Sequence, residues 1–346
     1  MSRHGPLRPR LAPAPLEHGG DMGAARRRFP NAPEPFLDLS TGINPTPYPL
    51  NALSPACFTR LPEPDGLAEL AEAAMRRYGA PSPAHVVCAP GTQILLPAVA
   101  RLVPPGRAAV LSPTYAEHAR AAELAGHAVT EVPSFAELHG SDLAVAVNPN
   151  NPDGRLVPRI RLIDLGAALA RRGGLLLVDE AFMDVATLSE SVAADVDRGA
   201  IVVLRSFGKF HGLPGVRLGF AIASPGTAAA LRATLGPWAV SGPALAIGKA
   251  ALCDDAWARQ MRSDLAYAAV RIDGMLEDAG LEVLGGTALF RLARSDYALR
   301  WYERLGQCGI LVRCFPDRPA LLRFGLPRDE AGFQRLGAAL ALGPVD

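Results

Sequence analysis

Lysine is almost absent from this chain, although positive charge is not. Of its 35 basic residues only Lys209 and Lys249 are lysines, and all the others are arginines. A Schiff base needs an amine that can lose its proton, which lysine can do and the delocalised guanidinium of arginine cannot. A chain that uses arginine for nearly every cation has a reason to retain a lysine, and the neighbours of Lys209 indicate that reason.

Lys209 lies in a glycine-rich segment that combines several reactive groups. RSFGK occupies residues 205–209 and HGLPGVRLG occupies residues 211–219, which brings the Ser206 hydroxyl, the amine and the Arg217 guanidinium within twelve residues. Burial and nearby cations lower a lysine pKa toward neutrality and make its amine nucleophilic. Ser206 and Arg217 suit a phosphate group. The alternative is a glycine-rich loop with one solvated lysine.

Polar residues follow other predicted strands in the same way. Gly91 and Thr92, in APGTQ at 89–93, open an apolar helical stretch whose free N–H groups can bind an anion. Asn151, in NPNNPDG at 148–154, is one of several amide donors after a later strand. Asp179 ends the apolar run 175–178, and a buried carboxylate needs a partner such as a protonated ring nitrogen. Plain turns and a helix N-cap are the alternatives.

Short apolar runs that alternate with helical stretches must position these groups. The runs lie at residues 85–88, 108–111, 128–132, 143–147, 175–179, 201–206 and 218–222, and residues 66–78 have the spacing of an amphipathic helix. Most runs are continuously apolar, which is typical of strands covered by helices on both faces. The pattern predicts a doubly wound α/β fold with a seven-stranded, mostly parallel sheet. Such sheets bind ligands at the carboxyl ends of their strands.

The pattern changes after residue 240 and predicts a second, smaller α/β domain. Residues 244–277 are predicted to form mostly long helix, and residues 281–284, 288–291 and 321–324 to form strands. We therefore predict an extended tail at 1–15, an N-terminal segment at 16–45 that packs with the small domain, a large domain at 46–240 and a small C-terminal domain at 241–346.

Composition excludes several classes of partner. A net charge of +1 gives no electrostatic reason to expect nucleic acid or an anionic membrane. The longest charge-free run, 233–248, is too short and too rich in Gly-Pro steps to span a bilayer. Five cysteines without C-x-x-C spacing predict a reduced, cytoplasmic protein. Seven scattered histidines lack metal-ligand spacing, so no metal is expected.

The polar motifs described above follow successive predicted strands. In this order they resemble, over roughly residues 35–340, the fold-type I aminotransferase superfamily, whose cofactor is pyridoxal 5′-phosphate (PLP). The resemblance implies one PLP contact for each polar group. Gly91, Thr92, Ser206 and Arg217 would hold the phosphate, Tyr115 would stack on the ring, Asn151 would meet the ring hydroxyl, Asp179 the ring nitrogen and Lys209 the aldehyde. Arg323, in LRFG at 322–325, matches the arginine that binds the substrate carboxylate.

Two positions depart from the superfamily pattern. Phe182 stands where many members have a tyrosine that reaches the ring hydroxyl, so Asn151 is expected to serve alone. Leu61, in RLPE at 60–63, stands where many members have a tyrosine that crosses to the phosphate of the partner subunit. The resemblance still implies a homodimer.

Within the superfamily, three short motifs resemble those of the threonine-phosphate decarboxylases of cobalamin biosynthesis. They are HGGD at 18–21, LDLSTGINP at 37–45 and DEAF at 179–182, which ends in Phe182. This implies a small phosphorylated amino acid, O-phospho-L-threonine, as substrate, with Asn151, Gly42 and Ile43 beside it. His18, Gly19 and Arg313 are candidates for its phosphate site. Lys209 and Asp179 would be catalytic, with Lys209 returning a proton to Cα after CO₂ leaves.

Three alternatives remain at this stage. Histidinol-phosphate aminotransferases share the scaffold but more often have Asn-Glu-Asn-Pro in place of Gly-Ile-Asn-Pro. A PLP-binding regulatory module is disfavoured, because no basic recognition helix precedes residue 35. Ser206 and Lys209 also match the Ser-x-x-Lys motif of acyl-enzyme hydrolases, but the Lys-Thr-Gly motif of that class is absent from the sequence.

Overall fold

The computed structural model describes residues 19–186 and 188–345, so the predicted tail at 1–15 and His18 lie outside the described residues. The strands are β1 (Leu37–Leu39), β2 (Val86–Ala89), β3 (Arg107–Leu111), β4 (Ala128–Val132), β5 (Leu143–Val147), β6 (Leu175–Asp179), β7 (Ile201–Ser206), β8 (Gly219–Ile222), β9 (Glu282–Thr287), β10 (Phe290–Arg294), β11 (Ile310–Cys314) and β12 (Leu321–Gly325).

The helices are α1 (Met22–Arg28), α2 (Ala56–Thr59), α3 (Pro64–Tyr78), α4 (Leu95–Ala100), α5 (Glu117–Leu124), α6 (Arg159–Ala170), α7 (Phe207–Phe210), α8 (Pro225–Leu235), α9 (Gly242–Cys253), α10 (Asp255–Asp278), α11 (Ala298–Gln307) and α12 (Glu330–Ala341). Short 3-10 turns join several of these elements. Among the described residues no helix combines the length and apolarity needed to cross a membrane.

The larger sheet of the described chain has seven strands in the order β2-β8-β7-β6-β5-β3-β4. β3 to β7 are mutually parallel, and β8 runs antiparallel to both of its neighbours. β2 therefore points the same way as the parallel set. The predicted α/β fold with a mostly parallel seven-stranded sheet is confirmed.

Helices cover both faces of this sheet, which explains the continuous apolar runs. In β6, Leu176 and Val178 belong to the core under α3, α6 and α9, whereas Leu175 and Leu177 belong to the core under α4, α5 and α8. Because successive side chains of a strand point to opposite faces, a strand buried on both sides has no polar alternation.

The smaller sheet has the order β1-β11-β12-β10-β9. β1 comes from the N-terminal part of the chain and pairs in parallel with β11, with Leu37 opposite Ile310. The other neighbours in this sheet are antiparallel. A separate buried core contains Leu39, Leu305 and Leu336. The exact domain boundaries at 45/46 and 240/241 remain a prediction.

The structure differs from the sequence prediction in three local features. Residues 244–277 form two helices, because Asp254 has a non-helical backbone and its carboxylate caps α10 by accepting from the Trp257 N–H at 2.9 Å. β1 and β11 were not predicted, because each depends on a partner distant in sequence. The strands expected at 281–284 and 288–291 extend to Thr287 and Arg294 as a hairpin, with register shifts between them.

Candidate active site

The predicted site residues follow β2, β3, β5, β6 and β7, whose carboxyl ends lie at one edge of the sheet. Gly91 follows β2, Tyr115 follows β3 and Asn151 follows β5, while Asp179 ends β6 and Lys209 follows β7. Arg217 lies at the same edge, because the antiparallel β8 begins there. The topology therefore gathers residues that are more than 100 positions apart in sequence.

Lys209 lies in α7, a four-residue helix directly after β7. Burial lowers the pKa of its amine to about 8, the positive charges of Arg323 and Arg217 lower it as well, and Asp179 opposes them. The ring of Phe182 lies 5.8 Å from Nζ. At pH 7 about one-tenth of this amine is therefore deprotonated and nucleophilic.

Asp179 has a buried imidazole as its partner. His118 Nε2 lies 2.9 Å from Asp179 Oδ2, and the Ala181 N–H donates to Oδ1 at 3.0 Å. An ionised carboxylate only accepts hydrogen bonds, so Nε2 is the donor and the tautomer of His118 is set. The sequence reasoning missed His118, although it follows Tyr115 by three residues, a helical spacing that places the two side chains together.

A cradle for an anion lies where β2 ends and β8 begins. Gly91 has φ +87°, and a Cβ at this position would lie 2.5 Å from Arg217 Nη2. A Cβ on Gly219 would lie 2.6 Å from the Thr92 nitrogen, and Gly219 is opposite Ser206 in the sheet. Glycine at both positions lets the chain pack closely, with the Arg217 guanidinium beside Gly91 and the Thr92 nitrogen beside Gly219.

Tyr115 stands beside this cradle at the start of α5. Its hydroxyl donates to Gln93 Oε1 at 3.1 Å, and its ring meets the His118 imidazole nearly at right angles at 5.9 Å. Burial raises the pKa of Tyr115 to about 12, with Glu117 and Asp179 adding to the shift. The phenol therefore stays neutral at physiological pH.

Arg323 forms a cationic site next to the same edge. Its Nη1 donates to Asn151 Oδ1 at 2.5 Å and its Nη2 donates to the Ser40 carbonyl at 2.7 Å. Its Nε is buried without a hydrogen-bond partner among the described residues. Burial and the charge of Arg313, which is opposite Arg323 across β11 and β12, lower the pKa of Arg323 to about 10. An anion would satisfy this site.

The N-terminal segment closes the wall between Lys209 and Arg323. The Asn44 N–H donates to the Lys209 carbonyl at 2.9 Å, and Asn44 Nδ2 donates to the Phe210 carbonyl at 2.8 Å. A Cβ on Gly42 would lie 2.8 Å from the Phe290 ring and 3.1 Å from the Phe182 ring. Ile43, between Gly42 and Asn44, is half-buried.

The remaining predicted substrate residues have different positions. Gly19 packs on Ser40, whose carbonyl accepts from Arg323, and a Cβ on Gly19 would lie 2.4 Å from that oxygen. The Arg313 guanidinium lies 5.7 Å from the Phe315 ring. The sequence did not predict Asn44 or Phe290 as site residues. Asn44 lies within the GINP motif, which was a signal for it, whereas the position of Phe290 is visible only in the fold.

An amine of lowered pKa, a hydrogen-bonded carboxylate and two buried or closely packed guanidinium groups thus lie together at one edge of a mostly parallel α/β sheet. The chain belongs to the aminotransferase class I and II family, whose model matches residues 36–331. It is 45% identical to a threonine-phosphate decarboxylase of Pseudomonas aeruginosa over 94% of this chain and 97% of that one. A threonine-phosphate decarboxylase of Sinorhizobium sp. is 42% identical, over 95% of this chain and 98% of the other.

A solved structure shows the same fold. Histidinol-phosphate aminotransferase from Sinorhizobium meliloti, in complex with pyridoxal 5′-phosphate, superposes with a TM-score of 0.78 at 22% identity, over 98% of this chain and 97% of that one. The predicted fold class, that of the fold-type I aminotransferases, is therefore confirmed.

Proposed function

We propose that this protein is a PLP-dependent decarboxylase of O-phospho-L-threonine. The observation that carries the proposal is its 45% and 42% identity, over nearly the whole chain, to two threonine-phosphate decarboxylases. The GINP motif at 42–45 and Phe182 support the same assignment. We also propose that the protein acts in cobalamin biosynthesis, as the motif resemblance implies.

The residues at the sheet edge fit PLP. The space kept clear by Gly91 and Gly219 beside Arg217, Thr92 and Ser206 would take the phosphate. Tyr115 would cover the ring, Asp179 would meet the ring nitrogen, and the Lys209 amine would hold the aldehyde carbon. Asn151 would offer its amide nitrogen to the ring hydroxyl, because its oxygen already accepts from Arg323.

Bound PLP supplies an electron sink for the pair left at Cα when one bond to that carbon breaks. Asp179, held by the His118 imidazole, would accept a hydrogen bond from the protonated ring nitrogen and so help to maintain that sink. Arg323 would bind the substrate carboxylate and orient it for loss as CO₂. The Lys209 ammonium would then deliver a proton to Cα in place of the lost carboxylate, so that the product would be 1-amino-2-propanol phosphate.

The substrate phosphate requires a second anion site beyond Arg323. We propose that Arg313 and the backbone near Gly19 contribute to it, together with His18. Arg313 is opposite Arg323 in the sheet, and Gly19 packs on Ser40, which Arg323 also contacts. Gly42 and Ile43 would line the substrate between these cations and Lys209.

Two assays test the activity, with Lys249 as the matched control lysine. PLP should give a yellow protein, and borohydride should fix the label on Lys209. Lys209→Met should abolish the visible band, whereas Lys249→Met should not, because Lys249 is exposed and forms a surface ion pair with Glu69 at 2.6 Å. A colourless wild type would refute PLP binding.

The second assay identifies the reaction. O-phospho-L-threonine should release CO₂ without any oxo acid, and the product should be 1-amino-2-propanol phosphate. Glutamate formation from histidinol phosphate and 2-oxoglutarate, without CO₂ release from phosphothreonine, would contradict the decarboxylase assignment in favour of an aminotransferase.

We also propose a homodimer in the cytoplasm. The strongly exposed apolar side chain of Leu61 lines a groove between α2, α3 and α9, and Phe58 of α2 is strongly exposed as well. Leu61 occupies the position that the family resemblance places against a partner subunit. Sedimentation of wild type and of Leu61→Asp tests the dimer, which the charge should weaken. Cell fractionation tests the cytoplasmic location.

A further inference from the structure

Three polar side chains form a relay that begins at Tyr115 and ends at a buried carboxylate. The Tyr115 hydroxyl donates to Gln93 Oε1 at 3.1 Å, and Gln93 Nε2 donates to Glu117 Oε2 at 2.9 Å. Glu117 is the first residue of α5 and is only 8% exposed. A carboxylate buried to this extent is uncommon away from a specific partner. The partners of Glu117 include the Gln93 amide and the Arg120 guanidinium, whose Nη1 lies 3.6 Å from Oε1.

The direction of the relay follows from its terminal charge. An ionised carboxylate can only accept, so the amide nitrogen of Gln93 must face Glu117. The amide oxygen of Gln93 must then face Tyr115, and the phenol must donate to it. Glu117 therefore determines, through Gln93, the direction of the Tyr115 O–H and the position of the Tyr115 ring.

The relay also links two parts of the proposed PLP site. Gln93 follows Gly91 and Thr92 of the phosphate cradle, and Tyr115 lies at the ring. The residue after Glu117 is His118, which donates to Asp179. The first turn of α5 thus supports both the stacking ring and the carboxylate proposed for the ring nitrogen.

We infer that Glu117 and Gln93 are positioning residues that hold the Tyr115 ring in its stacking orientation against PLP. This inference rests on the proposed role of Tyr115 at the cofactor. In this assignment Glu117 acts on the Tyr115 ring through Gln93 and does not contact PLP. Loss of Gln93 removes the acceptor of the phenol, and loss of Glu117 removes the group that orients this acceptor, so the ring is held less firmly and stacks less tightly.

The test uses the PLP-loaded protein and two readouts other than turnover: the PLP dissociation constant and the visible circular dichroism of bound PLP. Glu117→Ala should raise the dissociation constant about tenfold, the loss expected for one hydrogen bond to a charged group, and should change the dichroic band. Glu117→Gln keeps an acceptor for Gln93 and should restore both readouts to near wild type. Glu123→Ala, on the exposed side of the same helix, is the matched control and should change neither.

A double-mutant cycle distinguishes the relay from a general loss of helix stability. Tyr115→Phe keeps the ring but removes the hydroxyl, so Glu117→Ala should have little further effect on PLP binding in that background. An equal loss in both backgrounds, or a Glu117→Gln variant as weak as Glu117→Ala, would overturn the inference. Both readouts are independent of the substrate, so a failure here is separate from a failure of the decarboxylase assignment.

Discussion

Capture of PLP by the apo-protein should depend on pH through the amine of Lys209. Burial and the charge of Arg323 lower its pKa from 10.5 to about 8. A lysine with a pKa of about 8 is about one-tenth neutral at pH 7, whereas one at 10.5 is neutral in only about one molecule in 3000. Because the neutral amine is the nucleophile, Lys209 should capture PLP about 300-fold faster at pH 7 than an unperturbed lysine would.

The sign of the pH dependence follows from the lowered pKa. The second-order rate constant for PLP capture should rise about tenfold for each pH unit below 8 and level off above it. Arg323→Gln removes a cation that lowers the pKa of Lys209, so the midpoint should move to higher pH. Arg323→Lys keeps the charge and should leave the midpoint near 8.

The measurement is the growth of the visible band after apo-protein and PLP are mixed between pH 6 and 10. Capture of PLP by a free alkyl amine, followed over the same range, corrects for the ionisation of PLP itself. A midpoint near 10.5 in wild type, or a midpoint that does not move in Arg323→Gln, would refute the electrostatic account of Lys209.

Three further predictions concern neighbouring residues. Gly91→Ala places a Cβ 2.5 Å from the Arg217 guanidinium, at a residue whose φ is +87°. The dissociation constant of PLP should therefore rise at least about tenfold. That of pyridoxal, which has no phosphate, should rise much less. His118→Asn removes the imidazole that donates to Asp179, so steady-state assays should show kcat lowered about tenfold with less effect on KM. An unchanged kcat would contradict the role of His118 in holding Asp179. Lys209→Met should raise the free energy of unfolding of the apo-protein at pH 7 by up to about 3 kcal/mol, because the folded state binds the Lys209 proton less tightly than the unfolded chain does. Denaturant titrations should show that the free energy of unfolding of wild type rises from pH 8 toward 10.5 relative to that of Lys209→Met. If the two free energies of unfolding changed with pH in parallel, the lowered pKa of Lys209 would not be the cause.

Arg205, next to Ser206, shows why a conspicuous motif residue need not belong to the site. Arg205 is buried between Glu180 at 3.0 Å and Asp184 at 2.9 Å. Its guanidinium ties the end of β7 to the segment after β6, so the ends of two strands that carry Lys209 and Asp179 are held together. Such a buried pair is costly to break, since the remaining charge would have no partner.

The sequence predicted the large sheet well, because strands such as β6 and β7 are continuously apolar and are bounded by turn residues. Their ends agree with the structure to the residue. It also predicted that polar residues after these strands would meet, because parallel strands share one carboxyl edge. It could not predict β1, a three-residue strand whose existence depends on pairing with β11 about 270 positions away.

The sequence by itself therefore determined the fold class and the chemistry at the strand ends, above all the reactive amine of Lys209. Only the tertiary structure decided the partners of those groups: His118 for Asp179, Gln93 for Tyr115, and Asn151 for Arg323. The physical reason is the range of the interactions. Apolar periodicity and turn formation act between near neighbours and are visible in a single sequence, whereas hydrogen bonds of 2.5 to 3.1 Å between distant residues exist only once the strands have been ordered in the sheet.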